Sequence, residues 1–341
     1  MARGGSTATR AKAQAKRGNN RKSGRKASSP AKKARSTAGA KRGAATQWVY
    51  FFGRGKAEGR GDQRELLGGK GAGLAEMTRI GLPVPAGVTI TTTACAEYNR
   101  VGRRWPPGLE AQLHENIRKL EKATRKRFGD EKDPLLVSVR SGAARSMPGM
   151  METILNLGLN DRTVEGLSRS SGNPRFAWDS YRRFIQMYST VVVGLSKDIL
   201  EEKLHHLKER LGVTLDTEIP TEGLSGLCAE FKTFFRSQTG HEFPQDPWEQ
   251  LAGAVNAVFD SWNAEKAVTY RRVERITGLS GTAVNVQQMV FGNYGEDSGT
   301  GVCFTRDPST GENVFYGDLL INAQGEDVVA GIRTPMPLSE L

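Results

Sequence analysis

A strand that runs directly into a loop rich in glycine, serine and methionine constrains this chain more than any other segment. Residues 135–140 place Leu135, Val137 and Val139 on one face, which predicts a short β-strand. The strand ends at Arg140, and the loop that follows (SGAARSMPGM) carries a second arginine and a cluster of methionines. An arginine beside unencumbered backbone amides suits phosphate oxygens. A surface turn with solvated arginines fits the local pattern equally well.

A second glycine-rich segment, GGKGAGL at residues 68–74, lies upstream. It does not match a P-loop, because Arg64 stands where that motif needs glycine and Gly71 where it needs serine or threonine. It also does not match the dinucleotide-binding pattern, because Leu74 stands where that pattern needs its third glycine. The apolar spacing instead predicts a helix over 71–79 that begins beside Lys70. A lysine next to free helical amides favours an anion, and an exposed lysine at an ordinary helix start is the alternative.

Periodicity along the rest of the chain predicts a mixed architecture over residues 47–341. Helix predominates in an insert at about 174–276, with predicted helices at 176–193, 197–211, 224–237 and 248–273. Strands are predicted before and after this insert, at 48–52, 87–91, 135–140, 282–291 and 301–305. This order indicates an α+β domain whose two lobes are joined by helices. Four aromatic residues are spaced as a core stripe rather than a base-stacking platform: Trp178, Tyr181, Phe184 and Tyr188.

Together with the two glycine-rich segments, several longer blocks of sequence resemble one protein family. The stretches GNPRFAWDSYRRFIQM, GTAVNVQQMVFG and INAQGEDVVAGIRTP closely resemble the nucleotide-binding domain of pyruvate phosphate dikinase. The resembling blocks are 68–98, 134–161, 172–187, 281–292, 298–311 and 320–335. The chain is therefore identified as a member of this family from Trp48 to its last residue, as distinct from the related phosphoenolpyruvate synthases.

The resemblance implies an ATP-grasp-like, two-lobed fold that closes over ATP. Lys70 and Arg140 match the family lysine and arginine that contact the nucleotide phosphates. The segment with Gln288, Met289 and Val290 resembles the strand that flanks adenine. These residues are therefore expected to bind the cofactor.

The loop at 146–151 resembles the family's flexible lid over the terminal phosphates. Gly149 and Met151 are expected to contact ATP from this loop and to shield it from water. Ordinary filling of gaps in the core is the alternative for the methionines.

The family reaction converts ATP, pyruvate and phosphate into AMP, phosphoenolpyruvate and diphosphate through a phosphohistidine on a separate swivelling domain. That histidine lies in a Thr-Ser-His-Ala context, which none of the four histidines here shares: His114, His205, His206 and His241. We therefore expect no catalytic residue in this chain. Pyruvate and phosphate are expected as substrates only through domains that it lacks, so the isolated chain should not complete the reaction.

A second family motif concerns the metal. Family members hold Mg²⁺ through an acidic strand, Asp-Ile-Glu-Phe, followed by Gln-Thr-Arg, and neither motif occurs before Leu341. The metal ligands are therefore expected beyond Leu341. ATP and Mg²⁺ remain the implied cofactors, and the full-length protein is expected to form a homo-oligomer.

Positive charge is concentrated in one segment. The formal net charge is +12, but residues 1–46 hold 14 Lys and Arg with no Asp or Glu, which leaves 35 basic and 37 acidic residues elsewhere. This segment has few apolar side chains to bury, so it is predicted to be a disordered basic extension. A solvated extension, salt-sensitive binding of nucleic acid and a transit peptide all fit its composition. Its lysine-rich repeats look more like a linker-histone tail than an organelle address.

Composition also bears on the compartment. No stretch of the 341 residues approaches the roughly 20 apolar residues of a membrane span, so no membrane partner is expected. Three widely spaced cysteines predict neither a disulfide framework nor a zinc site. These features indicate a cytoplasmic protein, with a plastid as the alternative if the extension is a transit peptide.

Two hypotheses of function follow. The first is the ATP-binding portion of a dikinase that acts together with further domains. The second is a truncated non-catalytic paralogue that binds nucleic acid or another anionic partner through its basic extension. The pattern of cleft-forming residues is intact, which favours the first hypothesis as an account of the chain's ancestry.

Overall fold

The computed structural model describes residues 46–330 and 333–340, and the residues from Thr46 onward form one compact unit. The predicted basic extension therefore lies outside the described residues, apart from Thr46. Helices and strands are mixed in this unit, consistent with the predicted α+β class. Within the described ranges, no helix is both long and apolar enough to cross a membrane.

A six-stranded antiparallel sheet organises the larger part of the unit, in the order β2-β1-β3-β6-β4-β5. Its strands are β1 (Val49–Gly53), β2 (Lys56–Ala57), β3 (Gly87–Ile90), β4 (Val137–Gly142), β5 (Thr153–Leu157) and β6 (Ala283–Gln288). Strand β6 follows the helical region in the chain yet lies between β3 and β4. This insertion brings segments that are far apart in sequence side by side.

Helices surround this sheet. They are α1 (Arg64–Arg79), α2 (Thr92–Arg100), α3 (Leu109–Thr124), α4 (Thr163–Ser171), α5 (Pro174–Met187), α6 (Lys197–Leu211), α7 (Thr221–Thr239), α8 (Pro247–Ser261) and α9 (Glu265–Val273). The Asn173 side chain caps the start of α5, and the Asp246 side chain caps α8. In both cases a proline follows the cap, where its missing N–H is not needed.

The prediction of one helix over 248–273 is wrong. The chain leaves helical geometry at Ala264, which has an extended backbone (φ −60°, ψ 142°), so α8 and α9 are separate. The turn lets the Arg271 guanidinium lie over the Trp262 ring, 3.9 Å from its centroid. This cation–π contact depends on tertiary geometry that periodicity does not encode.

A smaller antiparallel sheet, ordered β7-β8-β9, forms near the end of the chain. It comprises β7 (Gly299–Phe304), β8 (Tyr316–Ile321) and β9 (Met336–Pro337), with the short helix α10 (Gly325–Ala330) between the last two strands. An ion pair between Arg183 of α5 and Asp327 of α10, at 3.1 Å, joins this region to α5. The segment between β6 and β7 also contacts α5, where the Phe176 and Phe291 rings meet edge to face at 4.9 Å.

The core lies on one face of the large sheet. The apolar face predicted for residues 135–140 is fully buried, with Leu135, Val137 and Val139 each 0% exposed, although β4 itself begins at Val137. The predicted aromatic stripe is confirmed as packing, because Phe184 and Tyr188 pack edge-on against the Phe243 ring. Full burial of one such side chain contributes about 1.5–3 kcal/mol. The opposite face of the sheet carries polar residues together with Phe52, which is 1% exposed.

Candidate functional site

A row of polar residues crosses the second face of the large sheet. Thr89 on β3 pairs with Asn285 on β6, Asn285 pairs with Arg140 on β4, and Arg140 pairs with Thr153 on β5. Directly opposed residues on neighbouring strands point to the same face, so these four side chains form one line, the polar row. Arg140 follows Val139 in the strand, so the row lies opposite the apolar core.

Helix α1 packs on this face because it is interrupted at Gly68. The backbone there has φ 69° and ψ 167°, outside the helical region, so the predicted helix over 71–79 is the second part of a longer, broken helix. The Gly69 N–H donates to the Ala143 carbonyl at 2.9 Å. This break places Lys70 at the start of the second helical segment, beside the end of β4.

Lys70 and Arg140 come close enough to influence each other electrostatically. The pKa of Lys70 is lowered, first by desolvation in the surrounding protein and second by the positive charge of Arg140. The Lys70 ammonium donates a hydrogen bond to the Ser141 carbonyl oxygen at 3.1 Å, and its side chain still reaches solvent. Like charges held together in this way attract an anion.

Two cavities adjoin along this face, and both include Thr153 in their walls. The first, which we call the loop cavity, has a volume of about 440 Å³ and is lined by Gly69, Lys70, Ser141, Gly142, Ala143, Arg145, Ser146, Met147, Pro148, Gly149, Met151 and Thr153. The second, the strand cavity, has a volume of about 600 Å³ and is lined by Pro85, Ser138, Arg140, Thr153, Leu155, Met187, Gln287, Gln288, Met289, Val290, Gln324 and Gly325.

The seven residues expected to bind the cofactor divide between these cavities. Lys70, Gly149 and Met151 line the loop cavity, whereas Arg140, Gln288, Met289 and Val290 line the strand cavity. Lys70 and Arg140 therefore face adjoining spaces rather than a single one. Thr153 lies between the two spaces.

Several lining residues were not predicted. Arg145 was noted in the sequence without a role, and Thr153, Gln324 and Gly325 were not singled out. The position of Thr153 follows from its pairing with Arg140 on the neighbouring strand. Because strand β5 was not predicted, Thr153 could not be placed beside Arg140 from the sequence.

The methionine loop combines packing with exposure to the loop cavity. Met147 is 6% exposed and belongs to the core, as the gap-filling alternative states. Gly149 adopts φ 71° with open space around it, which suits glycine. Met151 is half-buried and packs against the core from the cavity wall. The loop is thus anchored at Met147 and exposed at Gly149.

Strand β6 supplies the wall of the strand cavity, but part of its backbone is already committed. The amide of Gln288 donates to the Ala86 carbonyl and that of Met289 to the Leu136 carbonyl, both at 2.9 Å. Met289 is 9% exposed, whereas Val290 is 62% exposed. A ligand in this cavity would therefore meet the Val290 side chain and backbone groups other than these two amides.

The histidines lie away from both cavities. His205 and His206 are exposed on α6 beside glutamates, and His114 stacks on Trp248 with ring centroids 3.8 Å apart. Among the residues whose placement is described, no group of three or more His, Cys, Asp or Glu side chains could hold a metal ion.

Comparison with known proteins identifies the family. The profile of the pyruvate phosphate dikinase AMP/ATP-binding domain matches residues 64–105 and 104–338. The chain belongs to this family. The resemblance inferred from the glycine-rich segments is therefore confirmed.

Similar proteins carry the same family name. The pyruvate, phosphate dikinase of Clostridium symbiosum is 56% identical over 296 residues, that of Rhizobium meliloti 55% over 294, and the chloroplastic enzyme of Flaveria pringlei 55% over 293. Each match covers 86% of this chain but only 33%, 33% and 30% of the respective relative. The chain thus spans about a third of the length of these relatives.

Proposed function

We propose that this chain is the ATP-binding portion of a pyruvate phosphate dikinase and has an ATP-grasp-like fold. The observation that carries the proposal is the hydrogen bond from Lys70 on α1 to the Ser141 carbonyl on β4, which places Lys70 next to Arg140 at the junction of two cavities. Their volumes of about 440 and 600 Å³ are typical of small-molecule sites. Family membership supports ATP as the ligand.

ATP would occupy the two cavities end to end. The phosphates would lie where the two cavities meet, between Lys70 of the loop cavity and Arg140 of the strand cavity, with Gly149 and Met151 of the methionine loop beside them. Adenine would lie in the strand cavity against Gln288, Met289 and Val290. There the apolar side chains of Leu155 and Met187 also line the wall. The two cations would neutralise negative charge on the phosphates and so favour transfer of a phosphoryl group.

The walls of the two cavities do not fit Mg²⁺ held by the protein. Their described lining residues include arginine, lysine and amide side chains but no carboxylate. Mg²⁺ prefers oxygen ligands and commonly binds through substrate phosphates as well as one or two carboxylates. A metal ion in this site would therefore be bound chiefly by the phosphate oxygens of ATP, and we assign no metal ligand in the chain.

Replacing either cation with alanine should weaken ATP binding. We expect Lys70→Ala and Arg140→Ala each to reduce affinity by about 1–3 kcal/mol, because each removes a charge-assisted hydrogen bond to phosphate. Isothermal titration calorimetry with ATP measures this change. The matched controls Lys56→Ala and Arg79→Ala remove the same charges from exposed positions outside both cavities and should bind ATP normally. Unchanged affinity in the first two variants would exclude both residues from the site.

The 341-residue chain is expected to bind ATP without making phosphoenolpyruvate. It has no histidine in the family's phosphorylated context, and its described histidines lie outside both cavities. A coupled assay with ATP, phosphate and pyruvate tests this expectation. Turnover by the purified chain would show that phosphoryl transfer here does not need that histidine. For the whole protein, we also propose that pyruvate and phosphate are substrates, that it forms a homo-oligomer and that it is cytoplasmic.

A further inference from the structure

Asn285 lies at the centre of the polar row and is almost completely enclosed. It is 2% exposed, and its Oδ1 accepts a buried hydrogen bond from Thr89 Oγ1 at 2.9 Å. Within the described part of the chain, its Nδ2 has no hydrogen-bond partner. Burial of an amide with half of its hydrogen-bonding capacity unused opposes folding, so this side chain needs an explanation other than stability.

Two glycines pack against the Thr89–Asn285 pair at distances that exclude a side chain. A Cβ atom on Gly71 would lie 2.9 Å from Thr89 Oγ1 and 3.0 Å from Asn285 Oδ1. One on Gly142 would lie 2.6 Å from Asn285 Nδ2 and 3.5 Å from Lys70 Cβ. The start of the second segment of α1 and the end of β4 therefore both pack directly against this pair.

The same pair connects to both cations. Gly71 follows Lys70 directly in α1, so contact with Thr89 and Asn285 sets how closely Lys70 approaches the sheet. Arg140 is the cross-strand partner of Asn285, so its backbone position is tied to the same residue. Because the carboxamide is uncharged, it does not neutralise the two cations whose backbone positions it contacts or pairs with.

We propose that Asn285 and Thr89 are positioning residues: their hydrogen bond fixes the placement of Lys70 relative to Arg140 and thereby the affinity of the site for phosphate groups. The inference rests on the proposed ATP site. Neither side chain needs to touch the nucleotide. The pair acts through the two cations, so it should matter for the phosphate end of a ligand and not for its adenine end.

The experiment compares Thr89→Val, which keeps the side-chain shape but removes the hydroxyl, with Thr89→Ser, which keeps the hydroxyl. Dissociation constants are measured for ATP and for adenosine, which has no phosphate, together with the thermal unfolding midpoint. We expect Thr89→Val to weaken ATP binding about 5-fold or more, on the scale of one lost hydrogen bond, with adenosine binding unchanged. Thr89→Ser should restore ATP affinity to within about 2-fold of the unaltered chain.

A second variant covers the case in which Thr89→Val does not fold. Asn285→Asp keeps the shape of the side chain and places a carboxylate beside Lys70 and Arg140, where their charges should keep it ionised. It should weaken ATP binding by more than about 10-fold, because the carboxylate competes with phosphate for both cations.

Three outcomes would overturn the inference. The first is normal ATP affinity in Thr89→Val or, if that variant does not fold, in Asn285→Asp. The second is an equal loss of ATP and adenosine binding, which would indicate a general structural defect. If the unaltered chain binds ATP no better than adenosine, the proposed function itself fails, and this inference with it.

Discussion

Gly68→Ala is expected to destabilise the protein by more than about 3 kcal/mol and to abolish ATP binding. The backbone at Gly68 (φ 69°, ψ 167°) lies in a region essentially restricted to glycine. A Cβ atom there would lie 1.5 Å from the Gly142 carbonyl oxygen, which is far inside van der Waals contact. Helix α1 would have to move away from β4, and Lys70 would move with it. Chemical denaturation and calorimetry with ATP measure the two effects.

Gly73→Ala is the matched control on the same helix. A Cβ atom at Gly73 would meet nothing within 4 Å, and the position is helical. Alanine is favoured over glycine in a helix by about 1 kcal/mol, so this variant should be as stable as the unaltered chain or more stable. If Gly68→Ala unfolded at the same denaturant concentration as Gly73→Ala, the break in α1 would not be a constraint on the fold.

Asp179→Asn should lower the free energy of unfolding by about 3–5 kcal/mol, the usual effect of breaking a buried ion pair. The Asp179 carboxylate is 4% exposed and pairs with Arg182 at 2.5 Å and Arg183 at 3.0 Å. Arg183 also pairs with Asp327, at 3.1 Å. The substitution removes a negative charge beside the buried guanidinium group of Arg182 and the half-buried one of Arg183. Asp62→Asn, which breaks an exposed pair with Arg60, should change stability by less than about 1 kcal/mol.

The contribution of Asp179 to the free energy of unfolding should depend on pH. Burial by itself would raise the pKa of Asp179, but the charges of Arg182 and Arg183 outweigh it and hold the pKa well below its usual range. A carboxyl group whose pKa is lowered by folding stabilises the protein above its unfolded-state pKa of about 3.9. That contribution is lost as the pH falls through the folded-state pKa.

The stability difference between the unaltered chain and Asp179→Asn should therefore be constant near neutral pH and narrow below about pH 4. Denaturation curves for both proteins across this pH range provide the measurement. A difference that grew on acidification would contradict the assigned ion pair.

The spacing of apolar residues along the chain predicted several elements correctly. The helix over 197–211 has the predicted bounds, and the apolar face at Leu135, Val137 and Val139 is buried as predicted. Strand β5 and helix α4 lie where no element was predicted from the sequence. The predicted helix over 248–273 is broken at Ala264, where the extended backbone allows the Arg271 guanidinium to lie over the Trp262 ring. Periodicity alone cannot show such a contact.

The sequence by itself determined the family and the two cations on which the proposed site depends, because glycine-rich segments beside Lys70 and Arg140 are local features of the chain. Only the tertiary structure decided that Lys70 and Arg140 lie close together. That proximity requires the break at Gly68, and it requires β6 to insert between β3 and β4, which pairs Asn285 with Thr89 across 196 residues. Such contacts arise from the packing of distant segments on one sheet, and residue spacing along the chain does not record which segments will meet.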